Sequence, residues 1–235
     1  MSGQGNSRSV AASLRSGYGA FAAVFVALAF VLGLGTAHAQ SEPVKLAVLG
    51  DSIAAGYGLS PDQAFPVRLQ AALAAQGRKV TVLNHGVSGD TTAGGLERID
   101  WMLADKPDIV LVALGGNDML RGTDPAATER NLDAIVAKLK GSGVEVWLAG
   151  MVAPRNFGPE YAKAFDGIYG RLAAKYDVPL YPFLLDGIAQ VDGLNQADGI
   201  HPNIKGVDVL IERLLPFVTR NLDRYDASVH RPSRP

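Results

Sequence analysis

The run DIVLVALGG, Asp108 to Gly116, constrains this chain more than any other stretch. Its apolar side chains fall on both faces of an extended segment. Such a strand is stable in the middle of a parallel sheet, with helices packed above and below it. The remaining apolar runs are short: Val44 to Leu49, Val80 to Leu83, Val144 to Ala149 and Val178 to Tyr181. They read as four more strands. Amphipathic stretches separate them. Pro66 to Ala75 reads as a helix stopped by Gly77, and Gly95 to Ala104 as another. Asp124-Pro125 caps a helix running to Lys140, with Leu132, Ile135, Val136 and Leu139 as its buried stripe. Tyr161 to Tyr176 and Lys205 to Leu222 read as two more, the last kinked or restarted at Pro216. Strands alternating with helices make βαβ units, whose crossovers are right-handed. The predicted fold is a flavodoxin-like three-layer α/β/α sandwich with a five-stranded parallel sheet.

The first 39 residues do not belong to that pattern. Residues 1–15 carry Arg8 and Arg15 and no acid. The apolar run AFAAVFVALAFVLGLG follows, then Ala37-His38-Ala39, a small-x-small pattern suited to signal peptidase. Residues 1–39 therefore read as a secretory signal cleaved after Ala39. An uncleaved membrane anchor is the alternative, but the run of about 16 residues is shorter than the roughly 20 that span a bilayer. Residues 40–225 form the expected domain, and 226–235, ending in Arg-Pro pairs, a disordered tail. The expected product is exported to the periplasm or the medium, monomeric and without stable membrane insertion after cleavage.

Composition removes several classes of function. The chain has 22 basic and 23 acidic side chains and no basic block beyond a short terminal stretch, so it is not built for nucleic acid. It has no cysteine, which excludes thiol nucleophiles, disulfides and thiolate metal sites together. No G-x-G-x-x-G opens the first helix, and neither G-x-x-x-x-G-K-[ST] nor H-E-x-x-H occurs. No cofactor and no metal are expected.

In a sheet of this kind ligands bind beyond the carboxyl ends of the strands. Four polar turns stand there: Gly50-Asp51-Ser52, NHGVSGDTT at Asn84 to Thr92, GGND at Gly115 to Asp118, and DGIHP at Asp198 to Pro202. Ser52 fits two roles, a helix cap or a nucleophile whose small neighbours Ala54, Ala55 and Gly56 leave room for a substrate. A serine nucleophile needs a base. His85 has no carboxylate at a useful local spacing and suits packing in its turn. His201 has Asp198 three residues earlier, so the carboxylate can reach back to Nδ1–H and leave Nε2 facing the serine. A surface turn followed by a helix start is the alternative for these two. Gly89 offers an accessible backbone N–H, and Asn117 a side-chain amide that donates at neutral pH.

The blocks GDSIAAGYGL, GVSGDTTAGGLERI, ALGGNDMLRG and DGIHPN resemble those of the SGNH (GDSL) hydrolases, closest to the bacterial thioesterase/lysophospholipase/arylesterase branch. The resemblance covers nearly the whole chain after residue 39. It implies Ser52 as nucleophile, Asp198 and His201 as its triad partners, and Ser52, Gly89 and Asn117 as the oxyanion hole. It implies hydrolysis of carboxylic esters and thioesters, lysophospholipids included, through an acyl-serine, with the small acyl substrate as the one partner. Carbohydrate O-deacetylation is the alternative within the family. Tyr57, Leu59, Met119, Leu120, Phe157 and Tyr161 stand near the site in sequence and favour an acyl chain; Tyr57, Met119, Leu120 and Phe157 are the expected substrate contacts. The stretch from Met119 to Thr123 is expected to be a loop hinged at Gly122.

Overall fold

The computed structural model describes residues 42–229. The expected signal segment, residues 1–39, and positions 230–235 of the expected tail lie outside them. Five strands form one parallel sheet: β1 Val44–Gly50, β2 Val80–Gly86, β3 Ile109–Ala113, β4 Glu145–Ala149 and β5 Leu180–Tyr181. Their order is β2-β1-β3-β4-β5. This is the doubly wound flavodoxin-like order. The chain moves outward from β1 to β2, then returns to the far side of β1 with β3. The switch point therefore lies between the carboxyl ends of β1 and β3. β3 is fully buried along its length, as a double-faced apolar run requires. Trp147 of β4 and Leu46 and Leu49 of β1 are buried beside it.

The helices are α1 Ser52–Ala55, α2 Phe65–Ala75, α3 Thr92–Glu97, α4 Ile99–Leu103, α5 Gly116–Leu120, α6 Pro125–Gly141, α7 Pro159–Asp166, α8 Ile168–Tyr176 and α9 Ile204–Val229. Short 3₁₀ turns occur at Pro61–Gln63 and Arg155–Phe157. α6 begins as expected, with the Asp124 carboxylate accepting from Ala126 N–H and Pro125 at its first position.

Several expectations change. β2 runs on to Gly86, beyond Leu83. The single helix expected over 95–104 is two, because Arg98 leaves helical geometry (φ −100°, ψ 8°) to reach other partners described below. The helix expected over 161–176 also divides, at Gly167. Met119 and Leu120 are not loop residues but the end of α5. α9 is one continuous element through Pro216, neither restarted there nor finished at Leu222. It reaches Val229, so Asp226 to Val229 are helix rather than tail. Tyr225 packs against the core and Asp223 pairs with Arg78 at 2.5 Å, which gives the last turns something to hold.

The small residues after β1 also have a different cause from the one expected. A Cβ on Gly50 would stand 2.6 Å from the Cβ of Ala54, and one on Gly86 would stand 2.2 Å from Ala55 N. α1 is pressed onto the ends of β1 and β2, and only small side chains allow it. Room for a substrate is made elsewhere.

Candidate active site

β1 ends at Gly50 and α1 begins at Ser52. Asp51 between them caps α1: its Oδ1 accepts from Ile53 N–H at 3.0 Å. Ser52 is thus the first residue of the helix, where backbone N–H groups have no acceptor within the helix. Its side chain is 8% exposed and faces the imidazole of His201. The distance from Ser52 Oγ to His201 Nε2 is 2.8 Å. On the other edge of the ring, Nδ1 lies 2.6 Å from Asp198 Oδ2. With the proton on Nδ1, the ring donates to the carboxylate and Nε2 accepts the serine proton.

A tight turn makes that arrangement. Asp198 Oδ1 accepts from Ile200 N–H at 2.9 Å and from His201 N–H at 3.0 Å. One carboxylate oxygen folds the turn while the other orients the ring. These bonds to His201, first the ring and then its backbone, hold the Asp198 carboxyl down at about 2. It stays ionised wherever an imidazolium could form beside it. Asp51 is displaced the other way. Burial pushes its carboxyl up to about 6 against the bonds from the α1 backbone.

Asn117 sits in the first turn of α5, behind β3. Its Nδ2 donates to Asp90 O at 2.9 Å and lies 3.4 Å from Asp51 Oδ2. Gly115 before it carries φ +113°, and a Cβ there would meet the Tyr169 hydroxyl at 2.2 Å, so the turn requires glycine. Asp90 is itself held: Arg98 Nε donates to its carboxylate at 2.7 Å, and Arg98 Nη2 donates to Gly50 O at 2.9 Å. This is why α3 and α4 part at Arg98. The guanidinium ties the loop after β2 to the end of β1. Below it, Thr92 N–H and hydroxyl both donate to the buried Asp118 carboxylate, at 2.8 and 2.5 Å. Gly89 stands in an exposed turn at φ +82°, its carbonyl accepting from Arg121 Nη2 at 2.8 Å.

Beside these groups opens a cavity of about 350 Å³. Ser52, Asn117 and His201 form its polar end. Met119, Leu120, Met151, Phe183, Leu185 and Ile200 supply most of its apolar wall. Of the residues expected from the sequence, Ser52, Asn117, Met119, Leu120 and His201 meet here. Asp198 stands behind the imidazole. Gly89 is not part of the wall; it borders Asp90, whose carbonyl holds Asn117. Tyr57 is outside the cavity, its ring against His201 with centroids 4.7 Å apart. Leu59 lies with it around a much smaller recess behind Ser52. Phe157 is not in the wall either. It stacks on Tyr161, whose hydroxyl donates to Thr123 O at 3.0 Å. The aromatic pair braces the segment after α5 instead of lining the cavity. His85 is buried, its Nε2 3.2 Å from an Asp105 oxygen and its ring edge-on to Trp101, so its partner is a carboxylate supplied from beyond α4. Burial lowers its pKa.

Sequence reasoning did not find Arg98, Asp90 or the wall residues from Met151 to Ile200. Those from Met151 to Leu185 lie in the irregular segments after β4 and β5. Their position beyond a strand end was the one signal available. Among the described residues no group of three or more His, Asp or Glu is placed to hold a metal ion.

A hydroxyl, an imidazole and a carboxylate in line at the switch point of a parallel α/β sheet define a serine hydrolase. The chain belongs to the GDSL-like Lipase/Acylhydrolase family, which it matches over residues 48–209. It is 44% identical to Esterase TesA of Pseudomonas aeruginosa over 190 residues, 80% of this chain and 92% of that protein. It is 39% identical over 181 residues to thioesterase 1/protease 1/lysophospholipase L1 of Escherichia coli strain K12, 75% of this chain and 86% of that one. The crystal structure of TesA superposes with a TM-score of 0.71 at 43% identity, covering 74% of this chain and 97% of that one. AlinE4, an SGNH-hydrolase family esterase, does so with a TM-score of 0.66 at 42% identity, covering 78% and 98%.

Proposed function

We propose that the protein hydrolyses carboxylic esters and thioesters of the arylesterase, thioesterase and lysophospholipase type, with Ser52 as nucleophile. The observation that carries this is the Ser52–His201–Asp198 line opening into an apolar cavity. Ser52 Oγ attacks the acyl carbon as its proton passes to His201 Nε2. The carbonyl oxygen becomes an oxyanion, stabilised by the Ser52 N–H, the Asn117 amide and the Gly89 N–H. Asp198, ionised throughout, offsets the charge of the imidazolium. His201 then gives its proton to the departing alkoxide or thiolate, and the acyl group stays on Ser52. A water enters, loses a proton to His201 and attacks the acyl carbon. Collapse returns the proton to Ser52 and releases the carboxylic acid.

The cavity takes the acyl chain in this reading. Carbohydrate O-deacetylation is disfavoured, since a sugar needs hydrogen-bonding walls and most of this wall is hydrocarbon. Residues 1–39 act as an export signal, residues 40–229 work as one catalytic domain, and the enzyme acts as an exported monomer. Among the described residues no helix is long and apolar enough to cross a membrane.

The test is Ser52→Ala and His201→Ala beside the parent enzyme, on p-nitrophenyl esters and an acyl thioester. Each should lose nearly all turnover, and the double variant little more, because triad members act as a unit. Fluorophosphonate should label the parent and not Ser52→Ala. Strong turnover by Ser52→Ala, with the loss falling instead on Ser88→Ala, the serine of the GVSGD turn after β2, would overturn the assignment.

A further inference from the structure

The base comes from a loop and the nucleophile from a helix start, 149 residues apart in the chain. A 2.8 Å contact between them persists only if both are fixed to one frame. Much of the base loop is tied to itself. Asn195 and Pro202 form an antiparallel bridge, and Asn203 Nδ2 donates to Gly193 O at 2.9 Å and to Asn195 O at 3.1 Å. These bonds close the loop but do not reach Ser52.

Gln196 does. Its Nε2 donates to Tyr57 O at 2.7 Å and to Pro202 O at 3.0 Å. Its backbone N–H donates to His201 O at 2.8 Å. Tyr57 N–H donates in turn to Ser52 O at 3.0 Å, and the Tyr57 ring rests on the imidazole. A closed circuit results: Ser52 backbone, Tyr57, Gln196, the backbone at His201 and Pro202, the imidazole, and Ser52 Oγ again. Gly58 leaves the space this needs, for a Cβ there would stand 2.1 Å from Gln196 Oε1. The side chain must carry two protons on one atom at that reach. An ionised glutamate has none, methionine has none, and asparagine falls one methylene short.

We infer that Gln196 is a positioning residue for the Ser52–His201 pair, setting its distance and alignment by clamping the base loop to the segment after the nucleophile. It touches neither substrate nor reacting atoms. The inference rests on the reading of His201 as the base of Ser52.

Gln196→Met keeps the length and removes the donors. The expected result is a fall in kcat/KM for p-nitrophenyl acetate of about tenfold or more, since a misplacement of a full ~1 Å can cost about a hundredfold. Phosphonylation of Ser52 should slow in parallel. Inhibition by octanoic acid, which needs the cavity but not proton transfer, should stay within about twofold. Gln196→Asn should give the same split and serves where the methionine variant does not fold. Arg68→Ala, which breaks the Arg68–Asp208 ion pair between α2 and α9, controls for stability. Assayed at the same interval below its own Tm, it should turn over like the parent. Parent-like turnover and phosphonylation by both Gln196 variants at that interval would overturn the inference. His201→Ala in the same assay keeps the two failures apart: activity retained there refutes the reading of the site, whereas activity lost there but kept in the Gln196 variants refutes only the clamp.

Discussion

Replacing Leu120 with alanine measures what the cavity reads. Leu120 ends α5, three residues past Asn117, and keeps 45% of its surface exposed while lining the cavity. Met119 beside it is 9% exposed and belongs to the core. Leu120, like Ile200 across the wall at 43%, therefore has surface left to cover when an acyl chain enters. A free leucine residue presents roughly 180 Å², so about 80 Å² remains; covering about half of that gains about 1 kcal/mol at about 25 cal/mol per Å². Truncation also uncovers roughly one methylene of the bound chain, about 0.8 kcal/mol more. The total, about 1.8 kcal/mol, corresponds to roughly a twentyfold change. Leu120→Ala should thus lower kcat/KM for octanoyl esters by about ten- to twentyfold. Acetyl esters, too short to reach the residue, should change by less than about twofold. Tm should fall by only about a few degrees, because the part of the side chain buried in the fold and lost on truncation is worth about 1 kcal/mol. The assay is a p-nitrophenyl ester series from acetyl to octanoyl, parent and variant under the same conditions. An equal drop across the series would refute the reasoning and show that Leu120 supports the α5 turn carrying Asn117.

If the Asn117 amide meets the oxyanion, Asn117→Ala should lower kcat by roughly 10²–10³ with KM nearly constant; a normal kcat with a lowered Tm would reduce its role to the bond with Asp90 O. Asp51 makes stability depend on pH in a predictable direction. Its carboxyl is raised from 3.8 to about 6 by burial, so the stability its neutral form contributes is complete below about pH 4 and lost as pH rises through 6. Asp51→Asn keeps an oxygen for the Ile53 N–H and cannot ionise. Its stability relative to the parent should rise between pH 4 and 7, by at most about 3 kcal/mol. Denaturant unfolding at several pH values checks this, and a difference independent of pH would refute it.

The sheet was readable because its signals are local. Nine residues from Asp108 to Gly116 state by themselves that β3 is covered on both faces, and the Asp124-Pro125 cap states where α6 begins. The breaks at Arg98 and Gly167 were not readable, because helical periodicity runs through both. Arg98 abandons the helix for Asp90 and Gly50 O, partners placed beside it only by the folded sheet. The length of α9 was hidden for a similar reason. Its last turns read as polar, yet Arg78 and the core wait beside Asp223 and Tyr225.

The site divides along the same line. Asp198 and His201 were legible because three residues of one turn determine whether a carboxylate can reach an imidazole. Asn117 and Ser52 were legible because each follows a strand that the pattern had already placed. Phe157 misled because nearness in sequence to a site says nothing about which way a 3₁₀ turn faces. Gln196 lies beyond this kind of reading altogether. Its carbonyl partner Tyr57 stands 139 residues away, and backbone carbonyls leave no mark on composition or spacing. Nothing distinguishes a glutamine that bridges two carbonyls from one that faces water until the chain has folded. Side chains that do chemistry are drawn from few residue types and stand at strand ends, so they announce themselves. Side chains that hold the chemistry in register can be any donor of the right length. For them the hydrogen-bond geometry identifies the role, and the rate lost on removing the donors measures it.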